Sequence, residues 1–216
     1  MHEIADFFLH LDKHLGDFAL AHGISTYGLL FLVIFCETGL VVTPVLPGDS
    51  LLFAVGALTA TKVLPFFVTF PYLLLTFAAL LGDHSNYWIG RYFGPKVIKV
   101  FGRFINRRHL DRTHEFYEKH GVLTLVMAQF VPIIRTFAPF VAGVGDMTYA
   151  KFAKFNFIGV FCWTTLFIWG GYFFGNLEFV KKNFHYVILG IIAISLLPIV
   201  IEFWRTYSGR KKQKKR

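Results

Sequence analysis

The order of apolar and polar positions predicts an all-α chain. Residues 3–22 carry apolar side chains at helical spacing, with acids and Lys13 between them, which predicts an amphipathic helix lying in a membrane interface. Residues 72–94, 152–175 and 186–204 form long apolar segments, and each predicts a transmembrane helix. The predicted fold class is therefore an all-α integral membrane protein with an N-terminal amphipathic helix.

Two segments, 27–62 and 122–147, interrupt this pattern with polar, proline-containing centres. In the first, each apolar arm is roughly half the length that a spanning helix needs. A lipid-exposed loop at that depth would leave backbone groups unsatisfied, so we predict re-entrant helical hairpins whose tips are shielded by protein. A pair of short spanning helices is the alternative for the first segment. The residues expected at the hairpin tips are Pro44, Pro47, Gly48, Pro132 and Pro139.

A faint duplication suggests how these parts are arranged. Residues 88–94 and 169–175 share four identical positions, and each copy closes a long helix that follows a proline-containing hairpin. A re-entrant hairpin enters and leaves on one side, so the two units would be inverted, as in many secondary transporters. The basic stretch at 95–120 would then lie with the C-terminus on the cytoplasmic side and the N-terminal helix outside. Residues 1–204 form one predicted membrane domain, and 205–216 a basic, disordered cytoplasmic tail.

Composition and charge agree with a membrane protein. The chain is 55% hydrophobic and 16% charged, which is too apolar for a disordered chain and unusual for a soluble domain. The net charge of +9 comes from basic blocks that flank apolar segments, so we expect contacts with anionic headgroups rather than with nucleic acid. Cys36 and Cys162 lie in apolar runs and are predicted to be packing residues without a disulfide.

Four charged residues lie within the apolar segments: Glu37, Asp49, Asp83 and Arg135. An ionised side chain at the bilayer centre costs about 2.5–3.5 kcal/mol on insertion scales, so each needs a partner or water. The functional hypothesis is a polar cavity where the hairpin tips meet. There Arg135 would bind a phosphate, aided by helix N-termini, while Glu37 and Asp49 would accept and release protons. The structural alternative is that Arg135 pairs with an acid to lock the hairpins together.

Further polar residues carry weaker indications. Asp83, His84 and Asn86 lie within one predicted helix, and could line the same cavity or bond the broken backbone of a hairpin. His10 and His14 have a spacing compatible with a metal, but no third ligand lies nearby in the sequence, so we predict no metal site. The chain lacks a phosphate-binding P-loop, HExxH and GxSxG, and we expect neither an enzyme nor a cofactor.

Two longer motifs are more specific. FCETGLVVTPVLPGDS at 35–50 and FVPIIRTFAPFVAG at 130–143 resemble the two signatures of the DedA family of bacterial inner-membrane proteins. Shorter similarities to the family lie at Gly82-Asp83, Asn86-Tyr87, 89–91 and 116–121.

The resemblance implies two opposed re-entrant hairpins, a fold shared with the SNARE-associated Golgi (VTT-domain) proteins. It also implies lipid translocation linked to the proton-motive force, since family members are implicated in flipping undecaprenyl phosphate or phospholipids. Two acids and two arginines are regarded as essential in the family. Glu37, Asp49 and Arg135 match three of those positions, and Gln129 stands where the family usually has the other arginine. Gln129 can still assist by hydrogen bonding, but it supplies no charge.

The main functional hypothesis is a flippase that moves a lipid phosphate, most simply undecaprenyl phosphate, across the bacterial inner membrane with proton coupling. Its partners would be membrane lipid headgroups and protons. A non-selective phospholipid scramblase is the alternative within transport. An intramembrane lipid-phosphate enzyme and an assembly protein are two further alternatives. Gly90, Gly94, Gly171 and Gly175 have a small-xxx-small spacing that suits close helix packing within one chain or in a homo-oligomer.

Overall fold

The computed structural model describes residues 11–40, 48–101 and 125–175, together with positions 177, 178, 180, 186, 187 and 190. These parts of the chain are helical and contain no strand, as the sequence predicts. The helices are α1 (Leu11–His22), α2 (Ser25–Gly39), α3 (Gly48–Ala60), α4 (Thr69–Phe101), α5 (Pro132–Val144) and α6 (Tyr149–Phe174). The predictions for residues 3–10, for Pro44 and Pro47, for 102–120, for most of the 186–204 helix and for the 205–216 tail lie outside the described residues.

The predicted hairpin arms and long helices correspond to observed helices. α2 and α3 are the arms of the first predicted hairpin, and α5 is the second arm of the other, after a helical turn at 125–128. α4 contains the predicted 72–94 helix and α6 the predicted 152–175 helix. Within the described ranges, α6 is the one helix long and apolar enough to cross a membrane by length and composition. α4 is longer, but polar residues interrupt its middle.

The two long helices run in opposite directions and pack against each other. Near the start of α4, the Tyr72 hydroxyl lies 2.8 Å from the Thr165 hydroxyl in the second half of α6. Further along α4, the His84 ring lies 5.4 Å from that of Phe152, near the start of α6. This antiparallel pair is the frame on which the shorter helices are arranged.

The first hairpin turns back at about the middle of this frame. α2 runs parallel to α4, since the Tyr27 ring contacts that of Phe70 at 5.1 Å and the backbone at Gly39 approaches Gly82 closely. α3 packs on α6 rather than on α2, and runs parallel to α6. Because α4 and α6 are antiparallel, α3 returns toward the end from which α2 came. The two arms thus rest mainly on different long helices.

The second arms of both hairpins pack with the same geometry. α3 lies along α6, and α5 lies along α4, each through glycines that allow backbone contact. A side chain on Gly56 would meet the Ile168 carbonyl and the Tyr172 amide, and one on Gly143 would meet the Tyr87 carbonyl and the Arg91 amide. In these two contacts Gly143 corresponds to Gly56. Tyr87 and Arg91 correspond to Ile168 and Tyr172 with the same offset along the chain. The internal duplication seen faintly in the sequence is therefore present in the helix packing.

The apolar face of α1 packs partly against the rest of the protein. Leu15 and Ala19, one turn apart, are buried in the main hydrophobic core, and Gly16 approaches Leu58 of α3. Leu20 is exposed. The described part of the predicted amphipathic helix thus uses one stripe to contact the first hairpin.

Candidate functional site

Arg135 lies at the centre of the molecule between two acids of the first hairpin. Its Nη1 donates to Asp49 Oδ1 at 2.8 Å, and its Nη2 pairs with Glu37 Oε1. Glu37 and Arg135 are each 1% exposed, and Asp49 is 8% exposed. The structure therefore brings together three side chains that the sequence predicts to be site residues, across more than 80 residues of chain.

The ends of three short helices position these side chains. Glu37 lies in the last turn of α2, and Asp49 lies in the first turn of α3. The Gly48 N–H donates to Glu37 Oε1 at 3.3 Å. A side chain at Gly48 would collide with the Glu37 carboxylate, so this close contact requires glycine. Arg135 lies in the first turn of α5, where Pro132 at the start suits the helix because the first N–H groups have no helical partner.

Trp163, which was not predicted from the sequence as a site residue, completes the ion-pair cluster. Its indole Nε1 donates to Asp49 Oδ1 at 2.8 Å. The guanidinium carbon of Arg135 lies 4.2 Å from the centre of the Trp163 ring, a distance suited to a cation–π contact. The sequence signal that could have identified Trp163 is the run Trp163-Thr164-Thr165, three side chains that can form hydrogen bonds within an apolar helix. We refer to Glu37, Asp49, Arg135 and Trp163 as the arginine cluster.

A second buried polar group lies beside the arginine cluster. Gln129 Nε2 donates to Asp83 Oδ2 at 2.9 Å and to Asn156 Oδ1 at 3.0 Å. Asp83 and Asn156 are fully buried, and Gln129 is 3% exposed. Asn156, an amide within the apolar sequence of α6, was also missed. We refer to these three residues as the amide cluster.

Asn86 bonds the backbone of both hairpins. Its Nδ2 donates to the Thr38 carbonyl at 3.1 Å and to the Thr136 carbonyl at 2.7 Å. It thus satisfies carbonyls near the end of α2 and the start of α5, which is the backbone-bonding alternative considered from the sequence. Pro139 lies inside α5 and has no N–H to donate to the carbonyl of Arg135 one turn earlier.

His84 belongs to neither cluster. Its Nδ1 lies 2.7 Å from the Leu80 carbonyl of its own helix, and its ring packs against Tyr149 and Phe152. The three polar residues of α4 therefore separate: Asp83 joins the amide cluster, Asn86 holds the hairpins, and His84 packs among aromatic rings. The cysteines also differ from each other, because Cys36 is half-buried whereas Cys162 is exposed rather than packed.

The charges of the site are unequal. Among the buried residues that the structure describes, Arg135 is the sole cation, whereas Glu37, Asp49 and Asp83 are acids. Polar atoms without a hydrogen-bond partner here are Glu37 Oε2, Asp83 Oδ1, Asn86 Oδ1, Gln129 Oε1, Arg135 Nε and Asn156 Nδ2. No three His, Cys, Asp or Glu side chains in the described ranges are arranged to hold a metal ion. The arrangement can hold one anionic group by a planar guanidinium and can bind protons.

The amino-acid sequence that forms this arrangement of helices matches a known protein family. The model of the VTT domain matches residues 46–173. This chain belongs to the DedA family of VTT-domain proteins. No solved structure matches it.

The relatives of this chain include proteins that are named as membrane proteins. Protein DedA of Escherichia coli strain K12 is 50% identical over 203 residues, covering 94% of this chain and 93% of that protein. An uncharacterized membrane protein of Mycobacterium tuberculosis, Rv0364, is 39% identical, covering 84% and 80%. Inner membrane protein YqjA of E. coli strain K12 is 32% identical, covering 81% and 78%. These names and the apolar helix α6 support membrane association of this chain.

Proposed function

We propose that this protein is a proton-linked transporter that moves the phosphate-bearing headgroup of a membrane lipid, with undecaprenyl phosphate as the favoured substrate, across the bacterial inner membrane. The observation that carries the proposal is the guanidinium of Arg135, the one buried guanidinium among the described residues, which is held by carboxylates of the opposite hairpin. An arginine fork suits phosphate oxygens as well as it suits carboxylates. Family membership supports a membrane transport role.

Competition between the carboxylates and a lipid phosphate for Arg135 would couple lipid transport to proton uptake. In the described state, Glu37 and Asp49 occupy the two ends of the Arg135 guanidinium. A lipid phosphate must displace at least one of these carboxylates to bind the same guanidinium. Once displaced from Arg135, a buried carboxylate has a high free-energy cost as an unpaired anion. It therefore takes up a proton. Phosphate binding and proton uptake would therefore occur together, with Gln129 assisting as a neutral hydrogen-bond donor.

The depth of the site suits a transporter. Exposed aromatic side chains lie along α4, with Phe70 near its start and Tyr92 nine positions before its end. Phe70 and Tyr92 are 22 positions apart, which corresponds to about 33 Å along a helix, close to the hydrocarbon thickness of about 30 Å. Asp83 lies near the midpoint of this span. We place α2 and α3 as a re-entrant hairpin that reaches the membrane midplane from one side, and the segment ending in α5 as its counterpart from the other.

The decisive experiment measures headgroup translocation of a labelled polyprenyl phosphate in proteoliposomes, with and without a pH gradient. We expect gradient-dependent transport by the native chain. Arg135→Lys keeps the charge but loses the planar fork, and we expect at least a tenfold lower rate. Arg91→Lys is the matched control, because Arg91 is partly exposed and pairs with Asp146 at 3.1 Å, away from the clusters.

Equal rates for the native chain and Arg135→Lys, or no movement of any lipid, would contradict the proposal. In that case Arg135 would hold the two hairpins together, as an assembly protein requires. A hydrolysed lipid phosphate among the products would instead indicate the enzyme alternative.

A scramblase is the second candidate, and Gln129 favours it. A neutral amide at this position leaves three buried acids against one buried arginine in the part of the chain that the structure describes, and offers weaker headgroup selection. Movement of zwitterionic phospholipids at the same rate, without a gradient, would support the scramblase over the flippase. Gln129→Arg should then raise selectivity for the lipid phosphate.

A further inference from the structure

The amide cluster presents a carboxyl group without a cationic hydrogen-bond partner. Asp83 is fully buried, and its Oδ2 accepts from the neutral Gln129 amide. The nearby charged groups that act on it are Arg135 of α5 and Glu37 of α2, but both guanidinium ends of Arg135 bond the acids of the first hairpin. From α6 it faces the neutral Asn156, and on its own helix His84 turns away toward Leu80. Nothing charged that is described here neutralises Asp83 directly.

The buried oxygens without a partner in this region outnumber the donors left to them, because Asn156 Nδ2 is the one amide donor without a partner among the described residues. Asp83 Oδ1, Asn86 Oδ1 and Gln129 Oε1 are buried oxygens without a partner among the described residues. An ionised carboxylate can only accept, whereas a protonated carboxyl gains one O–H donor. A proton on Asp83 would therefore remove a buried negative charge and supply a donor among acceptor oxygens. A buried ion without a partner costs far more than a neutral acid.

We propose that Asp83 binds a proton in this state and is a third proton carrier of the protein, in addition to Glu37 and Asp49. The coupling part of this inference rests on the proposed transport function, but proton binding does not.

Infrared spectroscopy of the full-length protein in lipid, at neutral pH, tests proton binding directly. We expect the C=O absorption of one protonated carboxyl per chain to disappear in Asp83→Asn. The matched control is Asp146→Asn, because Asp146 is an exposed aspartate paired with Arg91, and this change should leave the absorption intact. An unchanged absorption in Asp83→Asn would overturn the inference. A native chain that is more stable in Na⁺ than in K⁺, with no such difference in Asp83→Asn, would indicate a bound sodium ion instead of a proton and would overturn it too.

A second variant keeps the acid and changes its partner. Gln129→Arg places a cation beside Asp83, so the carboxyl should ionise and its protonated absorption should disappear with Asp83 still present. Persistence of the absorption in Gln129→Arg would contradict the argument from charge. This variant remains informative if Asp83→Asn does not fold.

Transport separates this inference from the proposed function. Asp83→Asn should still exchange labelled lipid phosphate across proteoliposomes at equilibrium, while losing the stimulation by a pH gradient. Full stimulation in Asp83→Asn would show that Asp83 carries no coupled proton. If the native chain moves no lipid but Asp83 still shows the protonated absorption, the transport function fails and proton binding stands.

Discussion

At the scale of single residues, the arginine cluster is held by charge-assisted contacts that converge on Asp49. Arg135 and the Trp163 indole both donate to Asp49 Oδ1 at 2.8 Å. Asp49 opens α3, where the free N–H groups of a helix start also favour a negative charge. Trp163 therefore orients the acid and covers the guanidinium with its ring. It acts on the ion pair through Asp49 and is a positioning residue.

Trp163→Phe tests this role. Phenylalanine keeps a ring over Arg135 but removes the N–H donor to Asp49, so we expect a loss of about 1.5–3 kcal/mol in the free energy of unfolding. Chemical unfolding in detergent micelles measures it. Trp169→Phe is the control, because Trp169 lies on the same helix and packs against Tyr72 and Tyr172 outside the cluster. Equal losses in the two variants would show that only ring packing matters.

At the scale of helices, glycines set how closely α3 and α5 approach the long helices. Gly171 contacts the Phe53 carbonyl of α3, and Gly90 contacts the Phe140 carbonyl of α5 in the equivalent way. Gly175 and Gly94 continue the same two contacts one turn later, at Ala57 and Val144. All four glycines of the small-xxx-small pattern thus serve packing within the chain. The sequence predicts close packing here but does not identify the helix on the other side.

Two adjacent glycines of α6 give a matched test of this packing. A methyl group on Gly171 would collide with the Phe53 carbonyl, whereas Gly170 has nothing within 4 Å of its added Cβ. We expect Gly171→Ala to destabilise the protein by about 1–3 kcal/mol. Gly170→Ala should be neutral or stabilising by up to about 1 kcal/mol, because alanine favours the helix. Thermal unfolding followed by tryptophan fluorescence compares them, and similar melting temperatures would refute this view of the interface.

At the scale of the whole molecule, the end of α2 and the starts of α3 and α5 meet through their charged side chains between antiparallel long helices. Each second arm leaves the centre along a different long helix, so α3 and α5 point in opposite directions. This arrangement is the basis for our inverted, re-entrant topology. It predicts that the turn after α3 and the turn before α6 face opposite sides of the membrane, with the turn after α3 outside.

Cysteine labelling tests that topology. In a chain carrying Cys36→Ala and Cys162→Ser, a membrane-impermeant maleimide added to intact cells should label Phe67→Cys and leave Asp146→Cys unlabelled. Leu40→Cys, at the end of α2, should react slowly from both sides, because a re-entrant tip lies within the membrane. Rapid labelling of Leu40→Cys from the cytoplasmic side alone would indicate two short spanning helices instead. Labelling of Phe67→Cys only after permeabilisation would reverse the orientation.

Much of this protein could be predicted from local pattern, because apolar runs, prolines and glycines act within a few residues. The helices at 25–39, 48–60 and 149–174 follow from such runs, and the family follows from two contiguous motifs. Arg135 could also be predicted as a site residue, since a lone charge in an apolar segment needs a partner wherever it lies.

The partners of those charges were decided by the tertiary structure. Trp163 reaches Asp49 because α3 packs on α6 rather than on α2, and Asn156 reaches Gln129 because α6 passes the tip of the second hairpin. These contacts join residues from 27 to 114 positions apart, and no local pattern encodes them. The sequence alone indicated which side chains could not remain alone in an apolar environment. Only the packing of helices against one another determined which of them form an ion pair and which, like Asp83, have a neutral hydrogen-bond partner.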